Sequence, residues 1–93
     1  MPAVPFFLGP YYVDNVDSAF GEAVNASRLF LGSGGITDKD DYVVIGGKPR
    51  SLEAAQELAA KLSTTDPAVS DVHGPAAAIE IEGGGWVFCG VAT

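Results

Sequence analysis

The residues best placed to do chemistry lie in the stretch Gly46-Gly47-Lys48-Pro49-Arg50-Ser51. An apolar run over 42–45 precedes it and an alanine- and leucine-rich run follows from 51. That order predicts a strand, a turn and the N-terminus of a helix. Free backbone N–H groups and the helix dipole attract anions at such an end. Lys48 and Arg50 add two of the chain's five cations, and Ser51 adds a hydroxyl. Gly47, Lys48, Arg50 and Ser51 are therefore the candidate set for a phosphate, a carboxylate or an acidic peptide. The stretch is not a Walker loop, because Pro49 stands where that motif has its Ser or Thr. As a purely structural feature, the same residues make a glycine-proline turn with a serine cap and two solvated cations.

Other chemistry-bearing residues point to structure rather than catalysis. Cys89 and His73 are the only residues of their types. A cysteine nucleophile needs a polar, partly open setting that favours the thiolate. Cys89 lies between Phe88 and Gly90 in an apolar run, where a thiol acts as a small core group. One histidine and one cysteine are too few for a zinc site. Asp38, Asp40 and Asp41 lack the register of glycine and late glutamate that an EF-hand loop requires, and read as a solvated acidic loop. Glu80 and Glu82 fall on one face of a strand and read as its solvent side. No catalytic set, metal site or cofactor is expected, and the chain reads as non-enzymatic.

The charge balance sets the class of partner. Twelve acids against five bases leave a net charge of −7. Nucleic-acid binding rests on clustered Lys and Arg, which this chain lacks, and an anionic membrane surface is disfavoured for the same reason. A basic protein partner fits, as it would for an acidic phage-type inhibitor of a larger target. The chain is 47% hydrophobic and only 18% charged, a balance that excludes intrinsic disorder. So few charges leave part of the surface to be covered by a partner or by a second copy. The alternative is a surface of Gly, Ser, Thr and Ala.

Ninety-three residues make a single domain, 1–93. The apolar N-terminus MPAVPFFLGPYYV has no basic region and is broken by three prolines, so it does not read as a signal peptide. No run approaches the ~20 apolar residues of a membrane span. With a single cysteine, the compartment leans to the cytoplasm.

The elements follow from periodicity and punctuation. Residues 4–8 predict a strand, with a second short strand or its extension over 11–13 beyond Gly9-Pro10. The prolines suit a sheet edge. Residues 14–31 predict a helix with Val16, Ala19, Phe20, Ala23, Val24 and Ser27 on one stripe. Asp14, Asn15 and Asp17 are its cap candidates, Gly32-Ser33-Gly34-Gly35 its stop. Gly21 inside it suggests close backbone packing. Residues 42–45 predict a buried strand, and 51–63 a second helix, capped by Ser51, that buries Leu52, Ala55, Leu58, Ala59 and Leu62.

The pair Tyr42-Val43-Val44-Ile45-Gly46 and Ser51-Leu52-Glu53-Ala54-Ala55-Gln56-Glu57-Leu58-Ala59-Ala60-Lys61-Leu62 resembles the strand-to-helix half of a SPOR (sporulation-related repeat) peptidoglycan-binding domain. The resemblance covers under a quarter of the chain, and no second such unit follows.

Residues 76–82 and 86–92 predict a β-hairpin turning at Gly83-Gly84-Gly85. The first strand alternates, with Glu80 and Glu82 on a polar face. The second is apolar on both faces, so it is central, or its outer face is covered by a helix or another subunit. The expected fold is α+β, a mainly antiparallel sheet of four to five strands with two helices on one face, in the order β(β)αβαββ. The expected function is protein binding or assembly, as a subunit of an oligomer or virion-like particle or as an inhibitor, with Tyr11, Tyr12, Trp86 and Phe88 as interface candidates. The alternative is a small-anion or ligand-binding domain at the loop 46–51.

Overall fold

The computed structural model describes residues 4–31, 36 and 39–92. Six elements follow one another: β1 (Val4–Tyr11), α1 (Val16–Leu31), β2 (Tyr42–Val44), α2 (Leu52–Thr65), β3 (Ala76–Ile81) and β4 (Gly85–Ala92). The strands make one sheet of four in the order β1-β4-β3-β2. β4 pairs antiparallel with β1 and β3, and β2 runs parallel to β3. The sheet is thus mixed, not mainly antiparallel. The strand-helix-strand unit from β2 through α2 to β3 provides the crossover that parallel neighbours require.

There is no separate fifth strand among the described residues. Residue 11 belongs to β1, which continues past Gly9-Pro10 through a bulge: Leu8 faces Phe88 and Tyr11 faces Trp86, three steps against two. At Gly9, φ is +116°, and an added Cβ would stand 2.8 Å from the Trp86 carbonyl oxygen. Only glycine fits both demands. β1 is an edge strand, as its prolines require.

The helices lie on opposite faces of the sheet rather than on one. Alternate residues of a strand point to opposite sides, and both sets in the hairpin are apolar. On one side Ala77, Ile79, Ile81, Val87 and Cys89 pack with Ala55 and Ala59 of α2. On the other, Ala78 and Phe88 pack with Ala19 and Ala23 of α1. Two faces need two covers. The alanines at both contacts let the helix backbones approach the sheet closely. β3 is buried on both faces from Ala76 to Ile79, so its expected water-facing side is confined to Glu80, half-buried, and Glu82 beyond the strand.

Sequence-local signals set the helix ends. Asn15 Oδ1 accepts from the Asp17 N–H at 2.7 Å and starts α1. Ser51 is the N-cap of α2, its hydroxyl oxygen accepting from the Ala54 N–H at 3.2 Å. The glycine stop at 32–35 lies outside the described residues. Gly21 is exposed with nothing within 4 Å of an added Cβ, so it marks no close packing. Leu52 is 40% exposed and does not join the buried stripe of α2. The strand at 42–45 is an exposed edge, not a buried one, with Val43 and Val44 at 39% and 53% exposure.

Candidate functional site

The loop 46–51 leaves the sheet and rejoins it. The Ile45 N–H donates to the Ala78 carbonyl at 2.9 Å, the chain swings out through Gly46 to Pro49, and the Arg50 N–H returns to the Glu80 carbonyl at 3.1 Å. Gly47 makes the turn at φ +108°. The structure brings Gly47, Lys48, Arg50 and Ser51 together, as their adjacency demands, but engages two of them internally. The Arg50 guanidinium folds back and donates to the Gly46 carbonyl at 3.2 Å. The Ser51 oxygen is occupied by Ala54, and Glu53 already places a negative charge in the first turn of α2. Lys48 is exposed.

The four aromatic candidates separate. Phe88 is fully buried among the rings of Phe20, Tyr42 and Tyr11, at centroid distances of 5.6, 6.3 and 6.4 Å. It offers no surface and is corrected from interface to core. Tyr11 and Trp86 are cross-strand partners, half-buried on the α1 side. Tyr12 is 66% exposed, its ring edge against Gly85. These three lie at the turn end of the hairpin.

Cys89 is buried in the α2-side core, and that burial pushes its thiol up to about 11. His73 stands exposed on the turn before β3, where its backbone N–H donates to Asp71 Oδ1. Among the described residues no group of His, Cys, Asp and Glu has the arrangement of a metal site. Asp38 lies outside the described residues. Asp41 Oδ1 accepts from the Tyr42 N–H at 2.7 Å.

Three features were not foreseen from the sequence. Lys39 is buried to 5% exposure, its ammonium donating to the Val72 carbonyl at 3.0 Å and so tying the loop before β2 to the turn before β3. The Tyr42 hydroxyl donates to the Asp17 carboxylate, joining β2 to α1. That bond, with burial and the charges of Asp17 and Asp41, pushes the Tyr42 phenol up to about 12. The third feature is an open groove of about 750 Å³ between β1 and α2. Pro5, Phe6 and Phe7 form one wall and Ala59, Ala60 and Ser63 the other, with Val91 of β4 on the floor, and no lining residue is charged. The groove lies where Pro5 and Phe7 of β1 and Val91 of β4 face the small residues of α2. Small residues on the facing side of α2 are its only sequence signal.

Comparison with family models, with curated proteins and with solved structures finds no match to this chain. No comparison supports the likeness of 42–62 to half of a SPOR domain. Among the described residues no helix is long and apolar enough to cross a membrane.

Proposed function

We infer that this chain is a small, acidic, non-enzymatic protein-binding or assembly protein. The supporting observation is the uncharged groove between β1 and α2 in a chain of net charge −7. Its volume falls within the range of functional sites. It also borders β1, an edge strand, where a partner segment gains apolar contact from Pro5, Phe7 and Val91. The overall negative charge favours a partner that is basic around an apolar anchor.

The test is site-specific photo-crosslinking in the cells that make the protein. A crosslinking residue replaces Gln56 at the groove, with Glu22 on the exposed side of α1 as the control. A discrete protein adduct at position 56, absent at 22, is the expected result. Equal or no adducts at the two positions would refute the groove as the contact surface.

A further inference from the structure

The exposed edge of β2 is complementary to itself. The Ala76 N–H donates to the Asp41 carbonyl and the Ile45 N–H to the Ala78 carbonyl. In a parallel ladder this turns the backbone groups of Asp41, Val43 and Ile45 toward β3, and those of Tyr42 and Val44 outward. The Tyr42 N–H is closed by Asp41 Oδ1 and the Gly46 carbonyl by the Arg50 guanidinium. Both groups of Val44 face away from the sheet, beside a valine that is 53% exposed.

The charges are disposed symmetrically about that residue. Val44 pairs with Ala78, and Arg50 bridges Ile81, three residues further along β3. Asp41, three residues before Val44, lies as far on the other side, about 10 Å at the strand rise. Asp40 extends the acidic end, and Lys48 accompanies Arg50 at the basic end. A two-fold axis through Val44 therefore sets Asp40 and Asp41 of one copy against Lys48 and Arg50 of the other. It also lets the two Val44 residues exchange both backbone hydrogen bonds. Val43 then faces the second copy's Ile45 across the junction, an apolar cross-strand pair made twice.

We propose that β2 pairs antiparallel with β2 of a second copy, centred on Val44, making a continuous eight-stranded sheet. This rests on the assembly reading above and names its partner as the chain itself, but it uses the β2 edge and not the groove. The contact is short, with two central hydrogen bonds and a charged rim, so the dimer is weak and salt-sensitive.

The test is sedimentation equilibrium of the purified chain across protein concentration, at low and high salt. The expected result is a concentration-dependent dimer that dissociates as salt rises. Val44→Pro removes the outward N–H without touching the β2–β3 ladder, and should weaken the dimer at least about tenfold, ~1.4 kcal/mol. Asp40→Lys and Lys48→Asp should each weaken it, and the double variant should recover it, a reading that holds even if Val44→Pro proves unstable. A wild-type monomer at every concentration overturns the proposal, as does a dimer indifferent to these changes. Groove crosslinking at position 56 is unaffected by any of them, so the two ideas fail separately.

Discussion

Two glycine-to-alanine changes should move stability in opposite directions, for reasons that the backbone makes explicit. At Gly9 the new methyl group meets two obstacles. The φ of +116° lies outside the regions open to an L-residue, a strain of ~1–3 kcal/mol. The Cβ would also stand 2.8 Å from the Trp86 carbonyl oxygen and 3.2 Å from the Val87 Cα, both backbone of the central strand. Relieving that overlap costs a further ~1–3 kcal/mol. Gly9→Ala should therefore destabilise by about 4 kcal/mol, a large share of the ~5–15 kcal/mol that holds a domain together. At Gly21 the same methyl group meets nothing within 4 Å on an exposed helix face. Gly21→Ala should stabilise by ~0.8–1 kcal/mol through helix propensity alone, raising Tm by roughly 4–8 °C for a domain of this size. Urea unfolding followed by the fluorescence of Trp86, the single tryptophan, measures both. A Gly9→Ala protein within about 1 kcal/mol of wild type would refute the close approach of the bulge to β4. A destabilised Gly21→Ala protein would refute the open helix face.

Phe88→Ala empties the centre of the aromatic cluster on the α1 side and should cost ~3–5 kcal/mol in the same unfolding assay. Cys89 should resist thiol reagents in the native protein at neutral pH and react on denaturation, because the buried thiol keeps its proton. Its folded value is raised from 9.0 to about 11, so stability is unaffected below pH 9 and falls as pH rises from 9 to 11 by up to about 2 kcal/mol. Tyr42, raised from 10.0 to about 12, extends the loss above pH 10. Denaturant midpoints against pH should show a shallower slope between 9 and 11 in Cys89→Ala, whatever its absolute stability. Phosphate should leave the melting temperature unchanged, because Arg50 and Ser51 are engaged by Gly46 and Ala54. A clear phosphate shift lost in the double variant Lys48→Ala/Arg50→Ala would reinstate the loop as an anion site.

What was legible in the sequence was local. Asn15 and Ser51 cap their helices, Gly83-Gly84 marks the hairpin turn (Gly85 already belongs to β4), and the apolar steps of α1 and α2 select their buried faces, because each of these is settled by residues a few positions apart. What was not legible depends on where distant elements sit. The apolar run Tyr42–Val44 looks like an interior strand, but the crossover through α2 places it at the edge, and no feature of three residues distinguishes the two positions. Gly21 looked like a packing contact because glycine in a helix is costly, and only the tertiary arrangement reveals that nothing is near. Lys39 carries no local sign of burial, since its partners are carbonyls more than thirty residues away. The groove, likewise, is a property of how α2 packs against β1 and β4.

The doubly apolar C-terminal strand then changes its meaning. From sequence alone it posed a choice between covers supplied by the chain and a cover supplied from outside. Both faces of β4 are covered from within, by α1 against Phe88 and by α2 against Val87 and Cys89. Burial of β4 therefore makes no demand for a partner, and the low charge of the chain must be explained at the surfaces that remain open. Two of those lie at the lateral borders of the sheet. At the β1 border the prolines and the bulge disrupt a regular edge, while an uncharged groove runs alongside. At the β2 border the edge is short, apolar and closed at either end by Asp41 and Arg50, leaving Val44 free between them. Natural sheets blunt such edges with charge to prevent indiscriminate pairing. Here the blunting charges have opposite signs at opposite ends, an order that repels parallel apposition and favours one antiparallel register. In the proposed dimer, the residues that guard this edge against indiscriminate pairing are the ones that set the register of the second copy.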